Sequence, residues 1–249
     1  MPDKRHIALE GSYNTRDIGG YTIDKDRGTR SHRYIRCDGM HRLTDEDQNK
    51  LTNYGLKTII DLRTTEEVNQ EPNVFANSTL VKYNRINIIG DEALTAYDQQ
   101  VKTGVSYKRI EAAYTSWLEN RKPLILKALS ILSDSGNGMT LYHCSAGKDR
   151  TGIITALLLG IVGVRDEIII EDYSLTAEFL FQRFLNGDAP VAEKEINSVQ
   201  EYEAEYCPRE GMHGTLQHLN LQYGGIEQYV RSIGLTDDQI DGIRYSFVE

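Results

Sequence analysis

A cysteine, an aspartate and an arginine fall within one short run, His143-Cys-Ser-Ala-Gly-Lys-Asp-Arg-Thr151. The thiolate form of a cysteine is a strong nucleophile, so Cys144 can attack an electrophilic centre and form a covalent intermediate. Arg150, the sixth residue after it, carries a planar fork of N–H donors that can hold two oxygens of a tetrahedral anion, which the point charge of a lysine cannot do. Asp149 places a carboxyl group beside the same centre. These residue types together suit transfer of a phosphoryl group from oxygen to sulfur and then to water.

That chemistry needs elements to aim it. Thr140 to His143 is a short apolar run that predicts a buried strand, and Thr151 to Val162, rich in Ile, Leu and Ala, predicts a helix. Cys144 to Arg150 is then a turn feeding a helix N-terminus, where unpaired N–H groups and the positive end of the helix dipole attract an anion. The same setting can bring a cysteine pKa from about 8.5 down to roughly 3.5–7.5. Gly147 lets the loop turn tightly with its amides inward, so Ser145, Ala146, Gly147 and Lys148 are the expected phosphate cradle. Six residues beyond Cys37 and Cys207 stand Leu43 and His213, and neither cysteine has a strand, glycine and helix around it.

The pattern His-Cys-x5-Arg-Thr-Gly at a strand-to-helix turn resembles the cysteine-dependent tyrosine phosphatases. More narrowly, Gly147-Lys-Asp-Arg150, Asn14-Thr-Arg-Asp-Ile-Gly-Gly20 and Asp61-Leu-Arg63 are similar to the bacterial tyrosine and phosphoinositide phosphatases that carry an acid inside the loop. The likeness runs through most of the chain, reaches Tyr223-Gly-Gly-Ile-Glu-Gln-Tyr229, and is weakest between about Phe184 and Met212. It implies an α/β fold with a central, mostly parallel sheet flanked by helices. It implies that Thr151 hydrogen-bonds the sulfur and eases its departure, and that His143 orders the loop from behind. Lys148 resembles the extra cation of phosphatases that accept inositol lipids as well as phosphotyrosine. Ser145 stands where dedicated eukaryotic inositol-lipid enzymes carry a second lysine. The substrate order implied is a phosphotyrosine protein first and phosphoinositides second, with phosphate as product.

Expelling a phenolate needs a proton donor. The only tryptophan, Trp117, is followed by Leu118-Glu119, so the Trp-Pro-Asp acid loop of many tyrosine phosphatases is missing. Proximity favours Asp149; Asp61, at the end of its strand, is the rival and Asp91 a distant third.

The chain has 249 residues, 39% of them hydrophobic, enough for a sizeable core in one domain over residues 1–249. With 28 Lys and Arg against 37 Asp and Glu the net charge is −9, which argues against nucleic acid or anionic membranes as nonspecific partners. Any attraction for phosphate is local. Three cysteines at unrelated spacings form no disulfide framework and suit a reducing compartment, the cytoplasm by default, with export by a signal-less route left open. No stretch reaches membrane-spanning length, and no His or Cys cluster has metal-ligand spacing, so neither a membrane segment, a metal nor another cofactor is expected.

In chain order, Ser12 to Gly20 reads as a loop and polar clamp for the N-terminus. Arg27 to Arg42 is a basic stretch, read equally as a solvated face or an anion-attracting rim. Thr44, Thr64 and Thr236 open helices with capping patterns, Leu56 to Leu62 and Val81 to Ile89 read as strands, and Tyr107 to Leu118 and Leu124 to Ser133 as helices. Residues 186–212 break in composition and are read as a lid or cap insertion.

Two other classes fit parts of this pattern. One is a phosphate-binding module with weak catalysis, separable by a phosphatase assay. The other is an arsenate reductase-like thiol enzyme, which needs a second reactive thiol nearby.

Overall fold

The structure is a computed structural model and describes residues 4–90, 106–134, 136, 138–188 and 195–249. Five strands form one sheet: β1 (Arg16–Asp17), β2 (Tyr34–Cys37), β3 (Leu56–Asp61), β4 (Lys82–Arg85) and β5 (Met139–His143), in the order β1-β2-β5-β3-β4. All neighbours are parallel except β1 and β2. The register aligns Cys37, His143 and Asp61, so three strands end level with one another. Loops leaving the C-terminal edge of a parallel sheet form its usual ligand crevice, and the Cys144 loop leaves from its middle.

Side chains alternate across the pleat, and the sheet separates two cores. Ile35, Ile59 and Leu141 face one side with Met40, Leu51 from α1 (Asp45–Asn53) and Phe75. Tyr34, Ile60 and Tyr142 face the other, beneath most of the helices. The centre of that layer is α5 (Asp149–Ile161), whose residues from Thr151 to Leu159 are all buried. A helix apolar on every side can only be stable when enclosed, and here the sheet, α3 (Ser106–Asn120), α4 (Lys122–Ser133) and α6 (Asp166–Leu185) help to enclose it. Enclosure fixes the direction of its N-terminus. The chain finishes with α7 (Val199–Tyr206), α8 (Arg209–Tyr223), α9 (Ile226–Ser232) and α10 (Asp237–Phe247).

Capping boxes at Thr44, Thr64 and Thr236 start α1, α2 (Thr65–Gln70) and α10 as the sequence predicts. One strand expectation differs, and one strand lies where none was expected. The run from Val81 to Ile89 pairs only over Lys82–Arg85, because the Asn87 side chain accepts the amides of Ile89 and Gly90 and turns the chain out of the ladder. The basic stretch hides β2: Arg27 and Arg30 are exposed, whereas Arg33 and Arg36 are buried. Of the compositionally distinct 186–212 stretch, residues 189–194 lie outside the described residues, as does Asp91. Its described part includes α7 and the start of α8, with Tyr202, Cys207 and Met212 in the main core.

Candidate active site

Cys144 follows the last residue of β5 and is buried, with the Thr151 hydroxyl donating to its sulfur at 3.2 Å. The loop that follows can be followed carbonyl by carbonyl. Cys144 O lies 3.1 Å from His143 Nδ1, and Ser145 O accepts from the Gly39 amide at 2.9 Å. Ala146 O and Gly147 O both accept from Asn14 Nδ2, at 3.0 and 3.1 Å, and Arg36 Nη2 donates to Gly147 O at 2.8 Å. Lys148 O accepts from the Gly152 amide of α5 at 2.7 Å. In a trans peptide the N–H of one residue points opposite to the carbonyl of the residue before it. Tying five successive carbonyls behind the loop therefore turns the amides of Ser145 through Asp149 to its other side. Gly147 has φ 65°, and a β-carbon there would lie 2.6 Å from Cys37 O, so the turn requires glycine.

Arg150, on the first turn of α5, makes a two-armed ion pair with Glu67: Nη1 to Oε2 at 2.6 Å and Nη2 to Oε1 at 2.7 Å. Burial opposes the arginine's charge, but Glu67 and a charge on Cys144 hold its pKa above the ordinary value. Burial would likewise raise the Glu67 carboxyl, yet Arg150, the Ser145 hydroxyl and the Thr64 amide bring it down to about 2. Glu67 was legible only as the capping residue of α2, whose Thr64-x-x-Glu67 pattern is the one signal it leaves in the sequence. Its side chain serves helix cap and arginine at once.

The two candidate acids occupy opposite surroundings. Asp61 is fully buried at the end of β3, bonded by Arg63 Nε and Nη2 at 3.0 and 2.8 Å, by the Tyr83 hydroxyl at 2.7 Å, and with His143 Nε2 at 3.4 Å. Burial pushes its carboxyl upward, but His143 and Arg63 outweigh it and hold it well below the usual carboxylate range. Such a group has no proton to give at neutral pH. Asp149 begins α5 with its side chain about a fifth exposed; Tyr114 donates to its Oδ1 at 2.7 Å, and Lys148 Nζ stands 3.3 Å away. Tyr114, buried on α3, was not foreseen. Lys148 Nζ also donates to the carbonyl of Tyr206 at 2.7 Å, joining the loop to the end of α7.

His143 Nε2 also stands 2.9 Å from Asn73 Nδ2, so the ring is held between Asn73, Asp61 and the carbonyl of Cys144. The N-terminal signature is buried here too: Asn14, Arg16 and Asp17 are buried, and Arg16 and Arg36 both pair with Asp172 of α6. Among the described residues no three His, Cys, Asp or Glu side chains gather in the manner of a metal site. No helix among them is long and apolar enough to cross a membrane.

A thiol at the head of an amide cradle, with a forked cation on the same loop, defines a site for attack on a tetrahedral oxyanion at the carboxyl edge of an α/β sheet. A sequence profile of the tyrosine phosphatase family matches residues 7–249. A tyrosine-protein phosphatase of Nostoc commune is 32% identical over 220 residues, which cover 85% of this chain and 72% of the relative. The triple specificity protein phosphatase PtpB of Mycobacterium tuberculosis is 25% identical over 276 residues, covering 95% and 96%. The chain belongs to the tyrosine phosphatase family and is a protein-tyrosine phosphatase.

Proposed function

We propose that this phosphatase works through a phosphocysteine at Cys144, with Asp149 as general acid and then general base. The Cys144 thiolate attacks phosphorus; the S–P bond forms as the bond to the phenolic oxygen breaks, and Asp149 gives that oxygen its proton. The loop amides from Ser145 to Asp149 and the Arg150 fork hold the equatorial oxygens as charge builds on them. Water then attacks phosphorus, Asp149 takes its proton, and the S–P bond breaks to release phosphate and the thiolate. The Thr151 hydroxyl eases that departure by donating to the sulfur, 3.2 Å away. His143 and Asp61 hold the loop from behind and do not touch the substrate.

The observation that supports this reading is the loop after Cys144, whose carbonyls are tied to donors elsewhere so that its amides are left for an anion, with Arg150 close enough to Cys144 to feel its charge. Phosphotyrosine is the first substrate and phosphoinositides the second. Lys148 supplies the extra cation, and the name of the mycobacterial relative speaks of more than one specificity. Residues 186–212 act as a cap within one domain spanning residues 1–249. In support, Lys148 bonds to Tyr206 of this stretch, and Tyr202 and Cys207 share the core of α5. The cytoplasm suits an enzyme whose three cysteines are all free thiols.

Replacing Cys144 with serine tests the mechanism. Cys144→Ser is expected to lower turnover of a phosphotyrosine peptide by at least about 10⁴-fold, as loss of a nucleophile does, while inorganic phosphate still binds. Hydrolysis near the wild-type rate by this variant would end the reading.

A further inference from the structure

We infer that Asn14 and Arg36 are positioning residues for the reaction, fixing the carbonyls of Ala146 and Gly147 so that the next two amides face the phosphoryl group. The inference rests on the Cys144 loop being the site of phosphoryl transfer. Three of the five loop carbonyls are held by the neighbouring His143 ring or by backbone amides, which come with the fold. The other two, of Ala146 and Gly147, are held by side chains more than a hundred residues away in sequence. They lie where the backbone is easiest to turn, since Gly147 has no side chain to resist rotation of either adjoining peptide. A flipped peptide there would present a carbonyl oxygen to an anion in place of an N–H.

The donors are themselves aimed. Arg16 Nη1 donates to Asn14 Oδ1, which fixes which end of the amide faces the loop. Arg16 also donates to the Asp172 carboxylate through Nε at 3.1 Å, to the Asp172 carbonyl at 2.8 Å and to Thr176 at 3.2 Å. Arg36 Nη1 binds the other oxygen of Asp172, and the Tyr21 hydroxyl caps the same carboxylate at 2.7 Å. Two guanidinium groups face one carboxylate, all three side chains being 0–1% exposed. Those three side chains sum to one positive charge, and the buried Asp38 carboxylate accepts from the Asn14 amide beside them, so the cluster acts on the loop through the direction of its donors. Burying charge in this way is costly and gives little stability, so its use lies in the loop it serves.

The test compares Asn14→Leu, which is near-isosteric, uncharged and lacks both N–H donors, with Ser12→Ala. Ser12 belongs to the same N-terminal segment but bonds to Asp38 and Thr15 and to no loop carbonyl. Orthovanadate affinity, kcat and KM for p-nitrophenyl phosphate are measured well below each variant's melting temperature. Asn14→Leu is expected to bind vanadate at least about tenfold more weakly and to lose at least about tenfold in kcat, part of the 10²–10³ that removal of one oxyanion donor costs. Ser12→Ala should stay within about twofold on both while melting earlier. Arg36→Lys keeps the charge but cannot span Asp172 and Gly147 together, so it should repeat the Asn14→Leu result and serves if that variant does not fold. Vanadate binding within twofold of wild type by Asn14→Leu and Arg36→Lys would overturn the inference, as would an equal loss in Ser12→Ala. Failure of the wild type itself to bind vanadate would instead refute the phosphoryl-transfer site.

Discussion

Asp61 closes the strand beside the one that leads into the Cys144 loop, Asp149 opens the helix that leaves it, and the two differ in burial and in the donors that meet them. Asp61 is sealed among Arg63, Tyr83 and His143 and stays ionised. Asp149 has one hydroxyl donor and one ammonium group and retains access to solvent. A carboxylate paired with a buried arginine holds structure; one at the open mouth of an anion cradle can exchange a proton with what enters. Position in the sequence tells the two apart less well than the burial of each and the hydrogen-bond donors that meet it.

The largest expected effect comes from breaking the sealed side. Asp61→Ala leaves the Arg63 cation buried without its partner, and removing one member of a buried pair costs about 3–5 kcal/mol. Urea unfolding should show this loss. What activity survives should be reduced alike for phenyl and dinitrophenyl phosphate, because the damage is to the loop and not to proton transfer. A stable Asp61→Ala protein would mean that the strand end is not the anchor described.

A smaller effect sharpens the same contrast through pH. Glu67, like Asp61, is depressed in the folded state, to about 2, so its contribution to stability is complete above the unfolded value of about 4.3 and is lost as pH falls from there through 2. Glu67→Gln should therefore lower stability at neutral pH and flatten its fall between about pH 5 and 3, read by urea unfolding at several pH values. An unchanged slope would remove Glu67 from the linked groups. Turnover should fall as well, since the Arg150 fork would lose the carboxylate that orients it.

Much of this was legible because chemistry and local structure share residues in the loop. A buried strand, a glycine and a fully apolar helix announced where Cys144 would sit, and the capping threonines announced α1, α2 and α10. What escaped was whatever depends on contacts distant in sequence. Arg36 reads as surface charge until β2 is seen to run beside β5, and Asp172 reads as an ordinary helix residue until it meets Arg16 and Arg36. Tyr114 reads as core until Asp149 arrives beside it. Polar side chains buried by tertiary pairing leave no periodic signal, because their partners and not their neighbours make burial tolerable.

On the proposed mechanism the proton for the leaving group comes from inside the loop. The most direct test of that mechanism is the turnover of Asp149→Asn across aryl phosphates of graded leaving-group ability. The variant is predicted to lose about 10²-fold or more on phenyl phosphate, the scale of general acid catalysis, and only a few-fold on dinitrophenyl phosphate, whose leaving group departs without a proton. Equal loss on both substrates in Asp149→Asn, with the steep dependence appearing in Asp61→Asn instead, would contradict it.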